Sequence, residues 1–460
     1  MHRAPVPRHE SPPACFADTP ECVKAWPENP WWGRALKETN WRAAATALLL
    51  GVIAAIYIGK LPPAIPVLRA EFNLSLGQSA WMVSMFNTLG VAASIFMGLL
   101  TARAGAWRLC VTGAAAMLLG AVAGASAAGT TQLLASRFLE GVGFLCIVVA
   151  APGLLMAATA DADRKRVFSF WGAYMPTGTT LGMLLAPLLI AAHGWRALWL
   201  LTAGFAAAAI VLLMLRKVDY VVPRVARAEA PASIKREAAA TEAAAVAAPA
   251  AAPHATWRAS AAPLKKAGPW WIALAFGCYA FNFYAIMVWL PTFMVGERQM
   301  PLLAASLLTA LVVAVNIPGN LLGGVLMQRG VSRGTNICIA GVATGMTAAL
   351  IFSPALPDAL RYFACVAFSF CVGVLPGSVM SAAQIHAANG AQVGTVQGMI
   401  NQGSNLGQFV SPLLVTAAVG SVTGAALAWN NMLYLLCATS LIIIVSGWRV
   451  RGIEARMTAA

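Results

Sequence analysis

Apolar residues along this chain come in long runs, and polar residues gather at the boundaries between them. Runs of roughly 20 residues, enough for a helix to cross the hydrocarbon core of a bilayer, fall near 43–62, 79–101, 108–128, 133–157, 167–192 and 197–215. A second set falls near 270–294, 302–327, 336–354, 360–382, 393–418 and 427–448. There are twelve, six on each side of one polar interruption. The runs are continuous, without the period-two alternation of barrel strands. They predict helices, which pair every backbone N–H and C=O within the segment where no water can. The expected fold is an all-α membrane protein of twelve transmembrane helices in two pseudo-symmetric six-helix halves. Residues 1–40 form an amino-terminal tail, 41–217 the first half, 218–268 an Ala/Pro-rich flexible linker, 269–449 the second half and 450–460 a carboxyl tail.

The two halves echo each other in sequence. Gly178-Thr179-Thr180-Leu181-Gly182 continues to Ala186-Pro187-Leu188-Leu189, and Gly403-Ser404-Asn405-Leu406-Gly407 continues to Ser411-Pro412-Leu413-Leu414, 225 residues later. The segment from Gly98 through Arg103, Gly105 and Arg108 has a counterpart from Gly324 through Arg329 to Arg333, with Gly98 and Arg103 offset by 226. A small residue ending one helix, then a tight basic turn, lets adjacent spans approach closely. A membrane chain made of two such repeats places its working site at their seam, near the bilayer midplane.

Composition agrees with that class: 60% of the 460 residues are hydrophobic, 10% are charged and the mean hydropathy is +0.73, against about 25% charged residues in soluble domains. The net charge of +15 is distributed by side. With the amino terminus in the cytoplasm, 25 of the 31 Lys and Arg fall in inward segments, four fall in outward loops, and Lys60 and Arg137 fall within spans. This is the positive-inside pattern, so the inner (plasma) membrane with both termini cytoplasmic is expected. The basic face needs anionic lipid, not nucleic acid, to explain it. A monomer in the lipid bilayer is expected. The first 40 residues lack the apolar core of a signal peptide. The nine cysteines include no C-x-x-C pair, so no metal, cofactor or disulfide framework follows.

Candidate chemistry is sparse. Apart from Arg108 and Arg361 at run ends, Lys60, Arg137 and Glu140 are the formally charged residues inside the runs, and a charge at mid-bilayer, costing about 2.5–3.5 kcal/mol on insertion scales, calls for a cavity or a partner. Arg137 and Glu140, three apart, can pair on one helix face, and Lys60 lies one turn beyond Tyr57. Together the three groups carry +1, which suits an anion, and Glu140 can take up and release a proton. Plainer roles stay open: Lys60 can snorkel to the headgroups, Arg137 can pack or cap, and Glu140 can be a static partner. Gln397, Asn401, Asn405 and Gln408 share one helix face, either along a solute path or in interhelical contacts. Asn316 with Asn320, Asn282 with Tyr279 and Tyr284, and the Trp171–Tyr174 wall complete the polar and aromatic candidates. His386 is expected in a solvated inward loop.

The duplicated loop segment, Arg137-Phe138-Leu139-Glu140-Gly141-Val142-Gly143 in span four, and the Gly/Pro stripe of span five together resemble the signatures of the major facilitator superfamily over residues 41–450. Gly59-Lys60-Leu61-Pro62-Pro63-Ala64-Ile65-Pro66, Ser136 to Phe144 and Trp171-Gly172-Ala173-Tyr174-Met175-Pro176 more specifically resemble its cyanate and 2-nitroimidazole permease branch. The resemblance implies that spans one and four line a central cavity and that the cargo is a small anion or compact polar molecule. The loop motif usually carries Asp where this chain has Ala102, and the second copy has Gln328, so the carboxylate latch of that family is missing. Asp161 and Asp163 lie in the next inward loop as replacements.

No phosphate-cradling G-x-x-x-x-G-K-[ST] occurs, and no nucleophile–base arrangement stands out. The chain is therefore read as a secondary transporter and not an enzyme. The expected partners are a small anionic or polar solute and protons. Proton-driven efflux of a toxic compound is the alternative, and a non-transporting membrane receptor or sensor is the alternative of another class.

Overall fold

The computed structural model describes residues 38–220, 261–379, 381–387, 390–420 and 427–459. Among the described residues the elements are helices and short 3-10 turns, without strands. Nine described helices are long and apolar enough to cross a membrane. One of them, Tyr174–Leu215, is two spans: Gly194 breaks it at φ 78° and ψ 168°, a backbone conformation that a side chain would strain. Span two is supplied by Leu76–Met85 and Thr88–Ala104, and span eleven by Gly390–Val419, whose amides hide it from a hydropathy scan. These complete the twelve. The expected linker falls largely on 221–260, outside the described residues, and the expected carboxyl tail continues helix Met432–Ala459.

The sequence repeat has a structural cause. In the first half, a methyl added at Gly178 or Gly182 would overlap the carbonyl oxygens of Val52 or Ile56 in span one. In the second half, one added at Gly403 or Gly407 would overlap those of Ala273 or Gly277 in span seven. Span five thus lies on span one as span eleven lies on span seven, backbone against backbone, the contact that small residues permit between membrane helices. Pro187 and Pro412, five residues beyond the second glycine of each copy, are both buried. The basic turns also match, since Gly105 has φ 84° and Gly330 has φ 86°. Arg108 is exposed, while Arg333 at the same point of the second copy is buried. Gly98 and Arg103 lie on helix Thr88–Ala104, but their side chains fall outside the described residues.

Buried Arg333 adds to the charges counted within the runs. It donates to the Ser378 carbonyl at 2.8 Å and to Ser381 Oγ at 3.0 Å, and it pairs with Glu454. His386 also meets Glu454, at 3.1 Å, and is only 3% exposed. The expectation of a solvated His386 is therefore wrong. The turn before span eleven folds back onto the end of span twelve, a tertiary contact with no local signature. Asp163 accepts from Thr39 Oγ1 at 2.6 Å, which ties the start of span one to the loop before span five.

The halves meet along several pairs of spans. Across spans two and eleven, Ser84 Oγ donates to the Phe409 carbonyl at 2.7 Å, Gln402 Nε2 to the Val91 carbonyl at 2.6 Å and Asn405 Nδ2 to Ser94 Oγ at 2.9 Å. Asn405 lies against Gly90, where a Cβ would strike its amide.

Candidate functional site

Two helix interruptions define the site. In span one, Trp41–Gly59 gives way to Leu61–Phe72 at Lys60. Pro62 and Pro63 have no N–H to give the carbonyls four residues earlier, those of Ile58 and Gly59. In span two, helix Leu76–Met85 ends and Thr88–Ala104 begins across Phe86 and Asn87. Gly141 of span four lies so close that a Cβ there would overlap the Phe86 carbonyl, which draws the second interruption against the charged stretch of span four. Lys60 itself keeps helical angles, and its N–H still donates to the Ile56 carbonyl at 2.9 Å, so span one continues through the first interruption.

Arg137 ties the two breaks together. Its Nη1 donates to the Tyr57 carbonyl at 3.1 Å, its Nε to the Met82 carbonyl at 3.4 Å, and Nη1 also pairs with Glu140. The guanidinium stacks over the Phe86 ring with its carbon 4.5 Å from the centroid. Glu140 receives a second cation, Lys60 Nζ, at 2.7 Å. Lys60 Nζ also donates to Thr202 Oγ1 at 2.9 Å and sits 4.2 Å and 4.5 Å from the Tyr57 and Trp199 ring centroids. Lys60 and Glu140 are 0% exposed and Arg137 is 1% exposed. The cluster is a carboxylate between two cations, sealed inside the first half with one positive charge in excess. An ion network of this kind survives burial only when its remaining donors and acceptors are satisfied.

Most of them are, and the exceptions point to the seam. A void of about 10 Å³ adjoins Arg137 and is lined from the first half by Ile58, Phe86 and Asn87, and from the second half by Tyr284, Met287 and Val288. Asn87 and the Tyr284 hydroxyl face each other, buried, without a well-formed hydrogen bond to the Asn87 Oδ1 or the phenol. A donor edge of a guanidinium, an amide oxygen and a phenol thus converge where the halves touch. The void is about one water in size, so nothing larger fits there in this conformation.

The sequence candidates divide between this cluster and other places. Tyr57, Lys60, Arg137 and Glu140 come together as one group, with the Tyr57 hydroxyl donating to the Thr202 carbonyl at 2.7 Å. Trp171 and Tyr174 stack at 4.3 Å against Gly51 of span one. Asn316 Nδ2 donates to the Ser369 carbonyl of span ten at 3.0 Å and its Oδ1 accepts from Asn320. Asn282 faces span twelve, where its Oδ1 accepts from Thr439 at 2.6 Å. Gln397 donates to Asn401 at 3.2 Å along span eleven, and Asn405 crosses to span two. Asn87, Thr202, Ser94 and Gln402 carry no formal charge and are not among the sequence candidates. Asn87 had a usable signal, an amide in an otherwise apolar stretch, whereas Thr202 looks like any hydroxyl inside a helix.

A family model described as Major Facilitator Superfamily matches residues 47–412. The chain belongs to the major facilitator superfamily. Its fold is similar to that of a bacterial homologue of the human lysosomal transporter Spinster, solved inward-facing and unoccupied, with a TM-score of 0.63 at 14% identity over 89% of this chain and 96% of that one. Among curated proteins it is similar to "Probable sulfoacetate transporter SauU" of Cupriavidus necator, 28% identical over 32% of this chain and 35% of that protein. It is also similar to the arabinose-proton symporter of Escherichia coli, 26% identical over 40% and 38% respectively. Multidrug resistance protein MdtL of Escherichia coli is 28% identical over 33% and 40%. The matches span about a third to two-fifths of the length of these relatives. The relatives named here are transporters, and this chain shares with its family a multi-pass helical membrane architecture.

Proposed function

We propose that this transporter carries a small anion or compact polar organic solute across the inner (plasma) membrane by alternating access. Coupling to protons passes through Glu140, and both termini face the cytoplasm. The observation that carries the reading is the meeting of the Arg137 guanidinium with the Asn87 amide oxygen and the Tyr284 hydroxyl around a void at the seam. A guanidinium beside such a void suits an oxyanion, while the amide and phenol set orientation. Protonation of Glu140 breaks two ion pairs at once and lets Lys60 and Arg137 rearrange, which links a proton to the state of the seam. The likeness to a sulfoacetate transporter and a proton symporter supports an anion and proton coupling, and the resemblance to the cyanate permease branch supports a compact cargo.

The test is uptake into proteoliposomes of purified protein, with cyanate and sulfoacetate as probes and an imposed proton gradient. Saturable uptake that collapses with a protonophore is expected. Asn87→Ala and Tyr284→Phe are each expected to raise KM about tenfold, or about 1.4 kcal/mol of binding. Unchanged KM in both variants would remove the seam from the site. The likeness to a multidrug resistance protein supports a second reading, proton-driven efflux of a toxic compound. Inside-out vesicles that accumulate a drug and ignore both anions would establish efflux instead.

A further inference from the structure

A second cavity lies away from the seam, at one end of the second half. It measures about 490 Å³, within the range of about 300–1,000 Å³ typical of sites for drug-sized ligands. Its walls come from the end of span seven, the turn between spans nine and ten and the start of span twelve, and they include Trp289, Phe293, Tyr362, Cys365 and Trp429. Aromatic faces of this kind bury an acyl or aryl body well.

The polar atoms of the cavity follow a pattern. The Tyr362 hydroxyl is taken up by the Leu308 carbonyl at 2.9 Å. Asp358 is held by Arg298 at 2.8 Å. Glu297, which does not line the cavity, accepts from Trp429 Nε1 at 3.0 Å. Arg361 also lines it, anchored by Nε on the Ile351 carbonyl at 2.7 Å, with Nη1 3.7 Å from Asp358. Trp289 is 1% exposed, and its indole N–H has no partner. The donors of this wall are the unpartnered Trp289 indole N–H and the guanidinium of Arg361, whose carboxylate is already shared with Arg298.

We infer that this cavity binds an amphipathic carboxylate, with the apolar body among Trp289, Phe293 and Trp429 and the carboxylate on Arg361. The site is separate from the seam and belongs wholly to the second half, so it can be filled without competing with the transported solute.

Binding of radiolabelled dodecanoate to the full chain in phosphatidylcholine nanodiscs, corrected with empty discs, tests this. One saturable equivalent per protein is expected, with dodecanol competing about tenfold less well because it lacks the anion. Arg361→Gln is expected to weaken dodecanoate about tenfold, whereas Arg361→Lys keeps the charge and retains most of the affinity, which separates loss of charge from loss of fold. Ala359→Trp, at an exposed position on the rim, is expected to abolish binding by filling the mouth. No saturable component above empty discs, equal competition by dodecanol, or undiminished binding in Arg361→Gln would each overturn the proposal.

Discussion

Glu140→Gln is expected to destabilise the folded protein by about 3–5 kcal/mol, because removing one partner from a buried ion network leaves uncompensated charge behind. Here the loss is concentrated. Lys60 and Arg137 converge on one carboxylate, all three are almost wholly buried, and the neutral amide leaves two cations facing each other in an apolar interior. Lys60→Met in the same chain removes one of those cations, so the double variant is expected to recover much of the lost stability. Contacting residues couple in this way in a double-mutant cycle. Thermal unfolding in detergent supplies the four stabilities, and strictly additive losses would show that the carboxylate does not hold the two cations together. The double variant then reports on transport without the folding defect. Uptake driven by a pH gradient is expected to disappear while solute counterflow continues, because exchange needs no net proton movement. PH-driven uptake at the unsubstituted rate would end the role of Glu140 in coupling.

Gly407→Val is expected to prevent assembly of a stable second half. Its added carbons would meet the carbonyl of Gly277 and the amide nitrogen of Phe281 on span seven. Neither neighbour is the flexible end of a side chain, so the two helices must move apart. Overpacking typically costs about 1–3 kcal/mol, and a rigid backbone crossing belongs at the top of that range. Gly178→Val repeats the experiment on spans one and five. Gly204→Ala supplies the control, since a Cβ there meets nothing within 4 Å and alanine favours a helix by about 1 kcal/mol over glycine. Size-exclusion profiles and melting temperatures of the three variants check the ordering. A monodisperse Gly407→Val with the melting point of the unsubstituted protein would mean that this crossing carries no close backbone contact.

Much of this arrangement is legible in the chain because the bilayer imposes strong local rules. A helix must be about 20 apolar residues long to cross, so the twelve runs could be counted, and helices sharing a backbone crossing need glycine at fixed spacing, so the repeat at Gly178 and Gly403 could be found. The pairing of Arg137 with Glu140 followed from their separation along one helix. Lys60 stands out as a charge in an apolar run, and its place beside them follows only from the family resemblance, which implies that spans one and four line one cavity. Nothing local says that its ammonium turns into the first half, between Tyr57 and Trp199, and not outward to the headgroups. His386 failed for a related reason: a short polar segment reads as loop, and its burial depends on Glu454, 68 residues away.

The amino-acid sequence alone determined the all-helical membrane class, the duplication, and the few charged residues that had to find partners, since each follows from the cost of exposing polar groups to lipid. Only the tertiary structure decided which polar atoms meet across the seam. Asn87 and Tyr284 are 197 positions apart and lie on different halves, and no periodicity within one helix encodes the contact between two. It also decided that Arg108 and Arg333, equivalent in the repeat, have opposite surroundings, because the end of span twelve brings Glu454 to one of them.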